Sequence, residues 1–471
     1  MITSNLPRLC GADMQVPLAD GTLRRYINLD CAASTPALES VVAAVTEALP
    51  WYSSVHRGAG HLSQVSTRLY EAARQSVAAF VGARPGDSVV FVRNTTDAIN
   101  HLAGCLRVPA GATVLSTEME HHANMLPWRR LGPVEYLPPP RSRAVLLESM
   151  EAALRAAGGR VAVVAVTGAS NVTGEVMPVA EMARLAHAYG AIISVDAAQL
   201  APHRAIDMAA MDVDCLAFSG HKMYAPFGAG ALVVRTDLVA EAEPLLAGGG
   251  AVDFVTVDDV LWTGMPDRLE AGSPNVIGAI ALGVAATTLS TVGMERIAEH
   301  EHELLARVDA AFTRLARLRR LQLWDDPSVD RLGVVTFTVE GMDHALVAAA
   351  LSAEHAIGVR HGCFCAHPYI THLLGIDAVA ADSVRSSLRR GERVGIPGAV
   401  RASFGIGTTE RDVDELVGAL SELLDNGPRL EYRQDESTGD FHPMNDARAW
   451  PVFAGLPALD TAGHSAGCGQ F

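Results

Sequence analysis

The chain has 471 residues, 49% hydrophobic and 19% charged, a globular composition long enough for two domains with sizeable cores. Its formal net charge of −16 excludes nonspecific attachment to nucleic acid or anionic membrane, both of which select basic surfaces. Seven cysteines at irregular spacing, no signal-peptide core near Met1 and apolar stretches of strand size together lead us to expect a cytoplasmic protein with reduced thiols.

Residues 1–29 read as an N-terminal arm. Over 30–290, strand-like runs alternate with helical patterns: SVVFV (Ser88–Val92), TVLS (Thr113–Ser116), VAVVAV (Val161–Val166), AIISVD (Ala191–Asp196), DCLAFS (Asp214–Ser219) and GALVV (Gly230–Val234). Their continuous apolar character suits strands covered on both faces, so this region is expected to be an α/β domain with a mainly parallel sheet. Over 291–426 the pattern changes to a long helix (Met294–Leu315), a strand (Leu332–Glu340), a helix (His344–His355) and a segment RHGCFCAHP (Arg360–Pro368), as in a smaller α+β domain. Residues 427–471 are rich in Pro, Gly and Asp and read as an extended tail.

The densest chemistry lies in FSGHKMYAPFGAG (Phe218–Gly230). Lys222 follows a predicted buried strand, and strand ends in an open α/β sheet are where ligands bind. A lone lysine in such a loop is ordinarily a solvated surface residue, so its companions decide. Asp196 and Gln199 of SVDAAQ end another strand. An aspartate there either caps a helix or holds a pyridinium nitrogen in its protonated, electron-accepting state. Thr95 and Thr96 of NTTDAIN stand at a helix start, where they either cap the helix or help its N–H groups cradle a phosphate. His121 of EMEHHAN offers an imidazole able to lie over an aromatic cofactor ring. Lysine, carboxylate, phosphate cradle and histidine, all at strand ends, jointly specify pyridoxal 5′-phosphate held as a Schiff base.

The ordered run LDCAASTP (Leu29–Pro36), SSVHRGAGHLSQVST (Ser53–Thr67), VFVRNTTDAIN (Val90–Asn100), EMEHHANMLPW (Glu118–Trp128), SNVTGEVMP (Ser170–Pro178), SVDAAQ, FSGHKMYAPFGAG and LEAGSPN (Leu269–Asn275) resembles the class V aminotransferase family. The resemblance is to its cysteine desulfurase/selenocysteine lyase branch and spans about Leu29 to Asn426. It implies the pyridoxal-phosphate-dependent transferase fold of type I and a homodimer with shared active sites. Lys222 then forms the Schiff base, Asp196 pairs with the pyridine nitrogen, Gln199 with the phenolic oxygen, and His121 stacks on the ring. Thr95, Thr96, Ser219 and His221 surround the phosphate, and Ser273 of a neighbouring subunit completes that cradle. The resemblance places Asn171 near cofactor and substrate and matches His56. It sets Arg401 to bind the substrate carboxylate, a task suited to a guanidinium fork, with Arg360 nearby.

RHGCFCA fits the family's Arg-x-Gly-x-x-Cys-Ala pattern with Cys365 as the nucleophile. The implied reaction converts L-cysteine to L-alanine and leaves a persulfide on Cys365, for which a sulfur-acceptor protein is a possible partner. Arg360, His361 and His367 are suited to lowering a thiol pKa if they point toward it. A zinc site needs two further ligands, and no second closely spaced cysteine pair supplies them, so no metal is expected. Cys363 resolves an oxidised Cys365, relays sulfur or packs. The long spacing from Cys365 to Arg401, filled by the arginine-rich segment 377–399, departs from the branch, as does the tail with Cys468. These departures keep open a class V relative of different chemistry: a C–S lyase, an epimerase or an aminotransferase. A non-catalytic binding protein on the same fold is disfavoured by the presence of both Lys222 and Asp196.

Overall fold

The apolar runs of the N-terminal half form one seven-stranded sheet in the computed structural model, which describes residues 6–455. Its strands are β1 (Asp87–Val92), β2 (Thr113–Thr117), β3 (Val134–Leu137), β4 (Val161–Thr167), β5 (Ile192–Asp196), β6 (Cys215–Ser219) and β7 (Gly230–Arg235). Their spatial order is β1-β7-β6-β5-β4-β2-β3. β7 alone runs antiparallel to its neighbours, while β3, β2, β4, β5 and β6 are mutually parallel. Helices Arg143–Ala157 and Val179–Ala188 make the crossovers around β4 that parallel pairing requires. The short connection from β6 forces β7 to turn back, and its loop, residues 220–229, stays at the carboxyl edge of the parallel strands. Gly220 opens that loop because a Cβ there would lie 2.8 Å from the Ala229 carbonyl oxygen.

The smaller sheet contains β8 (Leu318–Leu321), β9 (Val334–Val339), β10 (Arg360–Gly362) and β11 (Ala399–Ser403) in the order β8-β9-β11-β10, all antiparallel. The N-terminal segment threads into this region. Ile27–Asn28 pairs in parallel with Ile357–Gly358, and Ile27 and Leu29 are buried in the core under the small sheet. This carries Asp30 to the seam between the two sheets.

Helix Met294–Phe312 joins the two cores. Met294 and Ile297 pack in the large one, and Leu304, Val308 and Phe312 in the small one. Midway, buried Glu301 pairs with His203 and accepts a hydrogen bond from Arg204 Nη1 at 2.8 Å. Segment 377–399 contains an amphipathic helix, Ala378–Arg389, none of whose residues is fully buried. The tail is ordered as far as it is described. Tyr432–Gln434 and Phe441–Pro443 form a hairpin, and the Tyr432 hydroxyl donates to Glu354 at 2.9 Å. Cys468 lies outside the described residues. Among those described, no single helix is long and apolar enough to cross a membrane.

Replacing Glu301 by Ala leaves buried His203 without its carboxylate and takes one of two carboxylates from Arg204, which keeps Asp330. We expect a loss of about 1–3 kcal/mol in unfolding free energy, the cost of leaving a buried polar group unsatisfied, measured by urea titration followed by circular dichroism.

Candidate active site

Lys222 is the only lysine in the chain, every other non-histidine base being arginine. No other side chain can therefore form an imine. It ends a 3-10 turn, Gly220–Lys222, directly after β6, while Asp196 ends the adjacent β5. Burial lowers the Lys222 pKa to about 8, against the stabilising pull of Asp196. Burial raises that of Asp196, which accepts a hydrogen bond from the Ala198 N–H at 2.9 Å. A lysine held near neutrality by its surroundings is poised as a nucleophile and proton carrier.

Thr95 and Ser219 meet beside them, both buried. Ser219 Oγ accepts from the Thr95 N–H at 2.8 Å and lies 2.7 Å from Thr95 Oγ1. The helix Thr95–Cys105 is capped by neither threonine: Asn94 accepts the Asp97 N–H. Neither hydroxyl is spent on the cap: that of Thr95 meets Ser219, and Thr96 is exposed at the first turn. His221 is kept neutral at physiological pH, its pKa lowered to about 4 by burial and by Lys222.

His121 Nδ1 accepts from the Ala123 N–H at 3.1 Å, which leaves the proton of a neutral ring on Nε2. Glu120 beneath it is wholly buried, bound by Thr117 and Asn124, and pushed up to about 8 by desolvation. Gln199 Nε2 donates to the Ala32 carbonyl at 2.7 Å, while its Oε1 has no partner. Asn171 Nδ2 donates to the Phe364 carbonyl at 2.9 Å.

Arg401 is buried on β11 directly opposite Arg360 of β10. Asp30 reconciles the two cations: it accepts from Arg401 Nη2 at 3.1 Å and lies 3.3 Å from Arg360 Nε. Arg401 Nη1 donates to the Asn171 carbonyl at 2.9 Å, its guanidinium lies 4.9 Å from the Phe364 ring centroid, and its Nε is unpaired.

The cysteine loop turns through two consecutive left-handed residues, Phe364 and Cys365, both at φ 54°. Such backbone costs about 1–2 kcal/mol per residue for an L-amino acid. Here three contacts hold it: Asn171 on the Phe364 carbonyl, the His122 N–H on the Cys365 carbonyl at 2.8 Å, and Arg401 over the Phe364 ring. Cys365 acts electrostatically on both Lys222 and Arg401. Two histidines of this segment have further neighbours. His361 faces His344 and Asp440, and His367 Nε2 lies 2.9 Å from Cys363 Sγ.

The remaining two residues singled out in the sequence are His56 and Ser273. His56, at φ 64°, pairs with Glu71 at 3.1 Å and edges onto Tyr70. Ser273 is exposed on the loop before helix Val276–Val292. Asp30, Glu120 and Phe364 were missed as site residues. Asp30 lay within the quoted string LDCAASTP, but only strand pairing reveals that it faces two arginines.

The chain matches the Aminotransferase class-V family over residues 27–416. A probable cysteine desulfurase of Halobacterium salinarum is 35% identical over 84% of this chain and 91% of its own length. The cysteine desulfurase of Escherichia coli O127:H6 is 35% identical over 84% and 92%. Among solved structures, the apo cysteine desulfurase of Thermococcus onnurineus superposes with TM-score 0.75 at 32% identity, covering 89% of this chain and 98% of that one. The E. coli cysteine desulfurase CsdA, in an S-sulfonic acid form, gives 0.72 at 30% identity, covering 85% and 95%. The chain belongs to the class-V aminotransferase family, whose members work with pyridoxal 5′-phosphate. Its site fits that cofactor: a sole, half-buried lysine beside a buried carboxylate, hydroxyls gathered at a helix start, and an unpartnered buried oxygen on Gln199.

With its pKa near 8, about half of Lys222 is neutral amine at pH 8, against under about 1% for an ordinary lysine. Cofactor-free protein treated with pyridoxal 5′-phosphate and then borohydride should be labelled at Lys222. We expect its initial rate to rise with pH through a midpoint near 8, read by peptide mass spectrometry.

Proposed function

We propose that this protein is a cysteine desulfurase that takes sulfur from L-cysteine, leaving L-alanine and a persulfide on Cys365. The carrying observation is the place of that thiol: on a strained, three-point-held turn, within electrostatic reach of both Lys222 and Arg401. The names of the relatives support the same reading.

Pyridoxal 5′-phosphate, when bound, supplies an electron-withdrawing ring that stabilises negative charge at the substrate's α-carbon. Asp196 would hold the ring nitrogen, Gln199 the ring hydroxyl, and Thr95, Thr96, Ser219 and His221 the phosphate, with His121 against the ring. Arg401 binds the α-carboxylate, bringing an unpaired Nε–H and exchanging part of its bond to Asp30 for the substrate. Arg360 and Asn171 border that position. Lys222 takes the α-proton, a role its lowered pKa permits near neutral pH. The Cys365 thiolate then attacks the substrate's sulfur; the new S–S bond forms as the bond from sulfur to the β-carbon breaks, and the carbon skeleton keeps that electron pair and takes up protons to become alanine.

The enzyme is a homodimer in this reading. Trp51, Tyr52, Phe254, Val257 and Leu261 form exposed apolar surface on two segments tied by Arg57 Nη2 to the Val252 carbonyl at 3.3 Å. Gly272, beside Ser273, donates to Gly249 at 2.7 Å, so Ser273 borders the same face and can serve a neighbour's site. Exposed large apolar side chains grouped on neighbouring segments suit a protein interface.

Incubated with L-cysteine and a reductant, the enzyme should release sulfide and equimolar alanine. Cys365→Ser should lower alanine formation by at least about a thousandfold while still perturbing the cofactor's absorbance on adding substrate. Pyruvate and ammonia as products, or full activity in the variant, would overturn the persulfide mechanism. Phe254→Asp should shift the sedimentation coefficient of the protein from dimer to monomer, measured by analytical ultracentrifugation.

A further inference from the structure

The two thiols of the Cys363–Phe364–Cys365 segment belong to different compartments. Cys365 acts on Lys222 and Arg401. Cys363 instead lines a cavity of about 630 Å³ whose lining does not include Cys365. The segments that depart from the family pattern build this cavity. Val384 and Leu388 come from helix Ala378–Arg389, Ile396 from the stretch leading into β11, and one wall from the tail hairpin. Its volume is that of a site for a small molecule, and its walls are largely apolar. Arg393 adds a half-buried guanidinium that has no ion pair among the described residues.

Cys363 has a base beside it. His367 Nε2 lies 2.9 Å from its Sγ, and His367 Nδ1 lies 3.1 Å from His122 Nε2, with the two rings stacked. An imidazole so placed accepts the thiol proton and leaves a nucleophilic thiolate. Residues two apart stand at most about 7 Å apart at Cα, and a persulfide extends its carrier by about 2 Å. That spacing is within what two cysteine side chains and the added sulfur span.

We propose that Cys363 relays the sulfane sulfur of the Cys365 persulfide into this cavity, where a small thiol with an apolar body and an anionic group accepts it. The proposal rests on the desulfurase reading. In the first step the Cys363 thiolate attacks the outer sulfur of Cys365–S–SH. A bond forms from Cys363 Sγ to that sulfur, the bond from Cys365 Sγ to it breaks, and Cys365 leaves as thiolate. The Cys363 proton passes to His367, and the outer sulfur keeps its own. In the second step the acceptor's thiolate attacks the same sulfur and Cys363 leaves as thiolate. Both steps are thiol exchanges without net oxidation or reduction.

The holoenzyme is given three equivalents of L-cysteine with no other thiol, and alanine is counted per protomer while alkylated persulfides are mapped by mass spectrometry. The relay predicts a burst of about two alanines with sulfur on both cysteines, and about one in Cys363→Ser with sulfur on Cys365 alone. One alanine in the wild type, with sulfur confined to Cys365, overturns the relay and leaves the desulfurase reading standing. Alanine from Cys365→Ser overturns both. For the cavity, turnover with 6-mercaptohexanoate is compared with that with 2-mercaptoethanol at equal thiolate concentration. Val384→Trp, on a helix with no buried residue, fills the cavity and should lower the ratio of the two rates by at least about tenfold. An unchanged ratio, in this variant and in Leu388→Trp, overturns the cavity as the acceptor's site.

Discussion

A guanidinium taken wholly out of water is among the most costly groups a fold can hold, and the seam between the two sheets is arranged around one. Arg401 stands on β11 across from Arg360, so the pairing that builds the small sheet also sets two cations side by side. Asp30 answers both, and it reaches them only because the N-terminal segment threads through the small core at Ile27 and Leu29. The remaining contacts of Arg401 are the Asn171 carbonyl, from the large domain, and the Phe364 ring, from the cysteine loop. Three segments distant in sequence are thus fastened to one charge, and each depends on the others for its compensation.

The strained cysteine loop follows from that arrangement. Two adjacent left-handed residues persist because Phe364 lies against Arg401 while Asn171 and His122 hold the two carbonyls. The turn divides the two thiols: Cys365 acts on the charges of the cofactor site, and Cys363 lines the neighbouring cavity. The outer wall of that cavity is the element least anchored by packing, since helix Ala378–Arg389 buries no residue completely. Elements with few buried apolar contacts open at low free-energy cost, which suits an entrance better than a support.

Much of this was legible from the chain because the signals are local. Continuous apolar runs marked parallel strands, and helix His344–His355 appeared with the bounds it has in the fold. Thr95, Asp196, Ser219 and Lys222 were readable as a group because each sits at a strand end or helix start, and a parallel sheet gathers such ends along one edge. Other features depended on geometry. The helix cap passed to Asn94, the tail folded into a hairpin on Glu354, and β7 turned antiparallel. His367, one of the residues suited to tuning Cys365, has Cys363 within hydrogen-bonding distance.

The sequence by itself determined the class of fold, the cofactor chemistry and the identity of the residue that can form an imine, because strand periodicity, motif spacing and the presence of one lysine are properties of the linear chain. Only the tertiary structure decided which carboxylate neutralises Arg401, which histidine stands beside which thiol, and what the inserted helix and tail enclose. Those depend on strand register and on backbone strain at Phe364 and Cys365. Both are set by contacts between segments hundreds of residues apart, such as Asp30 with Arg401, on which local spacing carries no information.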